Sequence, residues 1–124
     1  MAVSFTDREL DVMEVLWSAG DATVAEVRTA LEDDLAYTTV LTVLRILEEK
    51  GHIGHRDEGK AHRYFPKVAQ QAARRSALAR VVDKVFEGSA ELLLTQLVAD
   101  RGLSRKELER LRALMDEQLK RRKS

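Results

Sequence analysis

The sequence predicts a mainly α fold: a winged helix-turn-helix domain with a small β-hairpin wing, followed by C-terminal dimerisation helices. Three observations carry this. Residues 36–51 have the period of an amphipathic helix whose outward face is small and polar. A short helix precedes that segment across a tight turn, and an alternating hairpin follows it. Beyond residue 68 the chain is helical again, with apolar stripes too short to enclose a core alone.

The central segment decides the function class. Val40, Val43, Leu44 and Leu47 fall on one helical face, and Gly51 ends the helix. Thr39, Thr42, Arg45 and Glu49 fall on the other. Small hydroxyls and an arginine on an outward face fit a DNA major groove without steric conflict. The expectation is a DNA-binding regulator with helix 37–50 as its reader.

The preceding elements follow from capping chemistry. Thr6-Asp7-Arg8-Glu9 is a capping box, and Phe5 with Leu10 takes the two positions of a hydrophobic staple, so the first helix starts near Thr6. Leu10, Val12, Met13, Leu16 and Trp17 supply its buried side and Gly20 stops it. Thr23-Val24-Ala25-Glu26 is a second capping box, opening a short helix with Val24, Val27 and Leu31 inward. Glu32-Asp33-Asp34 would oppose a helix C-terminal dipole and is read as the turn into the third helix.

After Gly51 the period changes. Ile53 to Arg56 reads as a strand, Asp57-Glu58-Gly59-Lys60 as a turn, and Ala61 to Phe65 as the return strand, ended by Pro66. This hairpin, 53–65, is the wing. Leu78, Val81, Val82, Val85 and Phe86 then form an apolar stripe ended by Gly88, and Leu92, Leu93, Leu94, Leu97 and Val98 form a second, broken by Gly102. Ser104-Arg105-Lys106-Glu107 is a third capping box, with Leu103 and Leu108 as its staple. Leu108, Leu111, Met115 and Leu119 repeat at helical spacing. The organisation read from this is residues 1–67 as the DNA-binding domain and 68–124 as a dimerisation region. Its candidate contacts are Leu78, Val82, Val85, Leu93, Leu97, Leu108, Leu111, Met115 and Leu119. A second copy would bury those stripes, and a reader of palindromic DNA needs one.

The formal net charge of the 124-residue chain is zero, but the charges are not evenly spread. Residues 1–36 hold two basic and nine acidic side chains, 37–67 six and four, and 68–124 thirteen and eight. The basic excess therefore begins at the reading helix. The absence of cysteine excludes disulfides, thiolate metal sites and a cysteine nucleophile. No phosphate loop, metal-binding histidine–glutamate helix or nucleophile elbow supports an enzyme. No long apolar run or signal-peptide pattern is present, so a soluble, cytoplasmic chain without direct membrane insertion is expected.

The run Tyr37-Thr38-Thr39-Val40 with Thr42, then Lys50-Gly51, then Gly59-Lys60-Ala61 with Tyr64 and Pro66, resembles the penicillinase-repressor family, the BlaI/MecI/CopY group of bacterial transcriptional repressors. Glu9-Leu10-Asp11-Val12-Met13, Leu16-Trp17 and Leu103-Ser104-Arg105-Lys106-Glu107-Leu108 carry the same resemblance. It implies a homodimer whose winged helices bind a pseudo-palindromic operator and whose C-terminal helices pair. It implies repression of genes for β-lactam resistance or copper handling. In the β-lactam branch a membrane sensor-peptidase triggers cleavage within the dimerisation helices, and the matching bond here is Gln96-Leu97, where staphylococcal members have Asn-Phe. The copper branch senses through cysteines, which this chain lacks. Many members carry arginine at the position of Ile46, whereas here Arg45 stands one residue earlier, about 100° around the helix.

The candidate DNA contacts are Tyr37, Thr38, Thr39, Thr42, Arg45 and Lys50 on the helix and Arg56, Lys60 and Arg63 on the wing. Thr39 and Thr42 would meet bases or thymine methyls, and Thr38 a phosphate. Two readings stand for Tyr37, a phosphate contact through its hydroxyl or a half-buried ring. Lys60 and Arg63 are the leading wing contacts, while Asp57 and Glu58 keep the very tip away from phosphate. His52, His55 and His62 cluster on the hairpin. Imidazole suits zinc and copper, yet no carboxylate is clearly placed as a further ligand, so they are read as wing-surface side chains and no metal or cofactor is expected. The alternative functions are a winged-helix regulator sensing a small molecule or metal directly, as MarR-type proteins do, and a winged-helix scaffold that binds no DNA.

Overall fold

A computed structural model describes residues 3–123. Helix α1 spans Asp7–Ala19, and Thr6 caps it as expected: its Oγ1 accepts from Glu9 N at 3.1 Å and Glu9 Oε1 accepts from Thr6 N at 2.7 Å. Gly20, at φ 87°, ends it. Helix α2, Val24–Ala30, carries the second reciprocal capping box, and α3 spans Tyr37–Glu49. Val40, Leu44 and Leu47 of α3 are fully buried against Val12, Met13 and Leu16 of α1 and Val24 and Val27 of α2. Truncating one of the leucines to alanine typically costs about 2–5 kcal/mol.

The wing is longer than the sequence suggests. Strand β2 spans Ile53–Glu58 and β3 spans Ala61–Pro66, so the turn shrinks to Gly59-Lys60, with Gly59 at φ 62°. Asp57 and Glu58, expected in the turn, pair with His62 and Ala61, because backbone ladder bonds outweigh their weak strand preference. A third strand was not anticipated. Ala22–Thr23 forms β1, which pairs antiparallel with Tyr64 and Arg63, giving the order β1-β3-β2. Thr23 thus serves twice, as the end of β1 and the N-cap of α2. Ala22, Ile53 and Tyr64 bury the inner side of this sheet in the helical core.

Helix α4 spans Gln70–Val85, α5 Ala90–Asp100 and α6 Arg105–Arg122. The chain divides into two compact units between Ala79 and Arg80, inside α4. The first ten residues of α4 belong with the winged helix for identifiable reasons. Trp17 Nε1 donates to the carbonyl of Val68 at 2.8 Å, Ala73 is buried, and Ser76 Oγ donates to the carbonyl of Val3. In the second unit Ser89 caps α5 and Ser104 caps α6 with the third capping box. No residue of α5 or α6 is buried in the single chain.

Candidate nucleic-acid interface

The buried stripe of α3 fixes what its other side presents. With about 100° between successive residues, Thr38, Thr42, Arg45 and Glu49 lie opposite Val40, Leu44 and Leu47, flanked by Thr39 and Ile46. All six are exposed. Thr42 Oγ1 donates to the carbonyl of Thr38 at 2.9 Å. That bond commits its proton, so Thr42 offers the outside a γ-methyl and oxygen lone pairs. Ile46 is 40% exposed, a large aliphatic group on this polar face. Such a group suits a thymine methyl, and it stands where the family resemblance would place an arginine. Tyr37 is 47% exposed, so its ring is about half covered.

The wing has two chemically distinct faces. Side chains alternate along each strand, so His55, Asp57, His62 and Tyr64 share one face and Arg56, Glu58 and Arg63 the other. The first face turns towards α3, where Glu48 Oε2 lies 2.5 Å from His55 Nδ1. Burial pushes the Tyr64 hydroxyl above its ordinary range, the Glu48 charge pushes the same way, and Arg45 opposes them. On the second face Arg56 and Arg63 stand directly opposite each other. Like charges so placed destabilise a hairpin, and Asp21 resolves the conflict. Its carboxylate accepts from Arg56 Nη2 at 2.6 Å and from Arg63 Nη1 at 3.1 Å. Arg56, followed by Arg63 against the cost of burial, lowers the Asp21 pKa. Arg63 also donates to Glu58 at 2.5 Å and Glu26 at 2.8 Å.

Three of the candidate basic residues have carboxylate partners within the fold. Lys50 Nζ donates to both oxygens of the buried Glu9 at 3.0 and 2.9 Å, so it joins the end of α3 to the start of α1. Arg63, its side chain only 20% exposed, holds β3 to α2 and to the Asp21 segment. Arg56 is more exposed but is paired with Asp21. None of these ties was legible, because the partners lie 35 to 42 residues apart in sequence. Arg45 and Lys60 are exposed and enter no salt bridge among the described residues.

The expected dimerisation residues are more exposed than a folded core allows. Leu78, Val85, Leu97, Leu108, Met115 and Leu119 are exposed, and Val82, Leu93 and Leu111 are partly buried. Gln96 and Leu97 lie exposed on α5. Among the described residues no helix is long and apolar enough to cross a membrane.

Three α-helices, a three-stranded sheet and a wing beside an exposed polar helix define a winged helix-turn-helix protein of the transcription-regulator class. The chain belongs to the penicillinase-repressor family, whose sequence model matches residues 5–117; it is a transcriptional repressor of the BlaI/MecI type. The transcriptional regulator BlaI of Mycobacterium tuberculosis is 34% identical, covering 77% of this chain and 86% of its own length. The methicillin resistance regulatory protein MecI of Staphylococcus aureus is 24% identical, covering 87% and 89%. Among solved structures, the DNA-binding domain of the repressor BlaI is 28% identical and superposes with a TM-score of 0.52, covering 58% of this chain and 90% of that one. The monomeric form of Bacillus licheniformis BlaI in complex with the blaP half-operator superposes at 0.50 with the same identity and coverage. Escherichia coli MarR, 16% identical with a TM-score of 0.54, covers 93% and 78% and shares the fold.

Proposed function

We propose that this chain represses transcription as a homodimer on a pseudo-palindromic operator, with α3 in the major groove and the wing against the backbone. The observation that carries the reading is the exposed face Thr38, Thr39, Thr42, Arg45 and Ile46 beside an ordered wing, in a fold that resembles a BlaI structure bound to a half-operator. Thr39, Thr42 and Ile46 read bases, Thr38 and Tyr37 meet phosphates, and Arg45 and Lys60 supply uncommitted positive charge. Lys50 and Arg63 support the geometry instead of touching DNA. The apolar residues left exposed on α5 and α6 pair with those of a second copy, so that two readers face half-sites about 34–36 Å apart or a multiple of it.

Relief of repression follows cleavage at Gln96-Leu97 in α5, triggered by a membrane sensor-peptidase. A helical bond must open locally before a protease can take it in extended form, and α5 has no buried residue to resist that opening. Loss of the segment beyond residue 96 removes α6 and with it most of the pairing surface.

The test is fluorescence anisotropy of the full chain with DNA from upstream of its own gene and with a scrambled duplex, across salt. Selective binding by two chains per duplex, weakening linearly in the logarithm of salt, is expected. Equal binding to both duplexes would remove the reading role. A chain that stays intact when the regulated genes are induced would remove the cleavage step.

A further inference from the structure

We propose that the α3-facing side of the wing binds one divalent transition-metal ion of the zinc class through His55, Asp57 and His62. In sequence the three histidines read alike as wing-surface side chains, and the fold separates them into two groups. His52 packs at a tilt against Phe5, with ring centroids 4.8 Å apart. His55 and His62 instead face each other across the hairpin with centroids 4.5 Å apart. Asp57 lies two residues beyond His55 on β2 and directly opposite His62 on β3. Each of the three residues offers one ligand atom, and these atoms lie within 4.8 Å of one another.

The carboxylate behind His55 favours metal binding. Glu48 Oε2 lies 2.5 Å from His55 Nδ1, and Asp57 Oδ1 lies 2.8 Å from His62 Nδ1. A carboxylate accepts, so with Glu48 at its Nδ1 the His55 ring carries its proton there and presents the Nε2 lone pair, while Asp57 turns from His62 Nδ1 to the ion. A carboxylate behind a ligating imidazole fixes its tautomer and orientation. Tetrahedral zinc with bonds of about 2.0–2.1 Å brings neighbouring ligand atoms to about 3.4 Å apart. His55, Asp57 and His62 are exposed, so their side chains are free to rotate towards that spacing. Two imidazoles and one carboxylate suit zinc, and also the nickel, cobalt and copper ions that share its ligand preferences. The fourth position belongs to water. Through Glu48 the ion joins the wing to the last turns of α3. The Asp57 charge, expected to repel phosphate, would then be offset by a dication.

Calorimetric titration of ZnCl2 into the EDTA-treated, dialysed full chain tests this without DNA. One ion per chain is expected. His55→Ala and His62→Ala should each weaken binding at least tenfold, Asp57→Asn should weaken it, and His52→Ala should leave it unchanged. Zinc should also raise the Tm saturably, by mass action, and the His62→Ala chain should lose that rise. NMR of the unsubstituted chain gives an independent readout, in which the His55 and His62 imidazole signals move with zinc while those of His52 do not. Binding that survives in the His55→Ala/His62→Ala double variant, heat no greater than buffer mixing, or an equal loss in His52→Ala would each overturn the proposal.

Discussion

Lys50 ends α3 with its ammonium on both oxygens of Glu9, a side chain only 5% exposed in the first turn of α1. Burial alone would raise the Glu9 pKa, but the Lys50 ammonium and the Thr6 N–H outweigh it and leave the carboxyl below its ordinary range. Lys50→Ala would strand that carboxylate, and a buried charged group left unpaired costs about 1–3 kcal/mol or more. Thermal unfolding should show this loss. Operator affinity measured well below the Tm should stay within about twofold, whereas a DNA-contacting lysine would lose affinity and salt slope together.

The same pair predicts an acid response. A carboxyl whose folded pKa is depressed adds stability above its unfolded pKa and loses it as pH falls through the folded value. The Tm of the native chain should therefore fall on acidification through and below the ordinary glutamate range. Glu9→Gln should start lower at neutral pH and fall less over that window. Parallel Tm curves for the two chains would remove Glu9 from the acid response.

Asp21 makes a comparable statement on the wing. Asp21→Asn leaves Arg56 and Arg63 opposite each other with weaker compensation, so the Tm should drop, and the drop should shrink in high salt as the repulsion is screened. A Tm penalty independent of salt would point to lost packing instead.

On the reading face the prediction is finer. Because the Thr42 proton is committed to the Thr38 carbonyl, the methyl and the lone pairs are what DNA meets. Thr42→Ala should cost about 1 kcal/mol on operator, roughly a fivefold loss, and much less on scrambled duplex. Comparing Thr42→Val with Thr42→Ser separates the methyl from the oxygen. Lys60→Ala should weaken both duplexes alike and reduce the salt slope.

Gly54 faces Phe65 across the hairpin, and a Cβ there would sit 2.8 Å from the ring's Cζ. Gly54→Ala must push the ring aside. Because that ring is only partly buried, the cost should stay at or below about 1 kcal/mol, the low end for overpacking, to be read from denaturant midpoints at unchanged m-value.

Features written in local chemistry were legible in the sequence. Three capping boxes, the α3 periodicity and the glycine stops all appear where the residues put them. Strand β1 was not legible, because two residues carry no period and their pairing with Tyr64 and Arg63 forms over some forty residues of chain. The candidate site was legible as a helix face and a wing, but not as a division of labour among its cations. Charge counts cannot tell Arg63, held by three carboxylates, from Arg45, which makes no salt bridge. Nor could spacing alone separate His52 from His55 and His62, since the hairpin register decides which imidazoles meet.

Trp17 is the chain's single tryptophan, and its indole N–H is tied to Val68 within the first compact unit. Indole emission is therefore a built-in optical probe of that unit. Two chains that separate through α5 and α6 should leave the emission unmoved, whereas loosening of the winged helix should shift it to the red. Fluorescence beside a sedimentation measurement can thus tell disassembly from unfolding without any attached label.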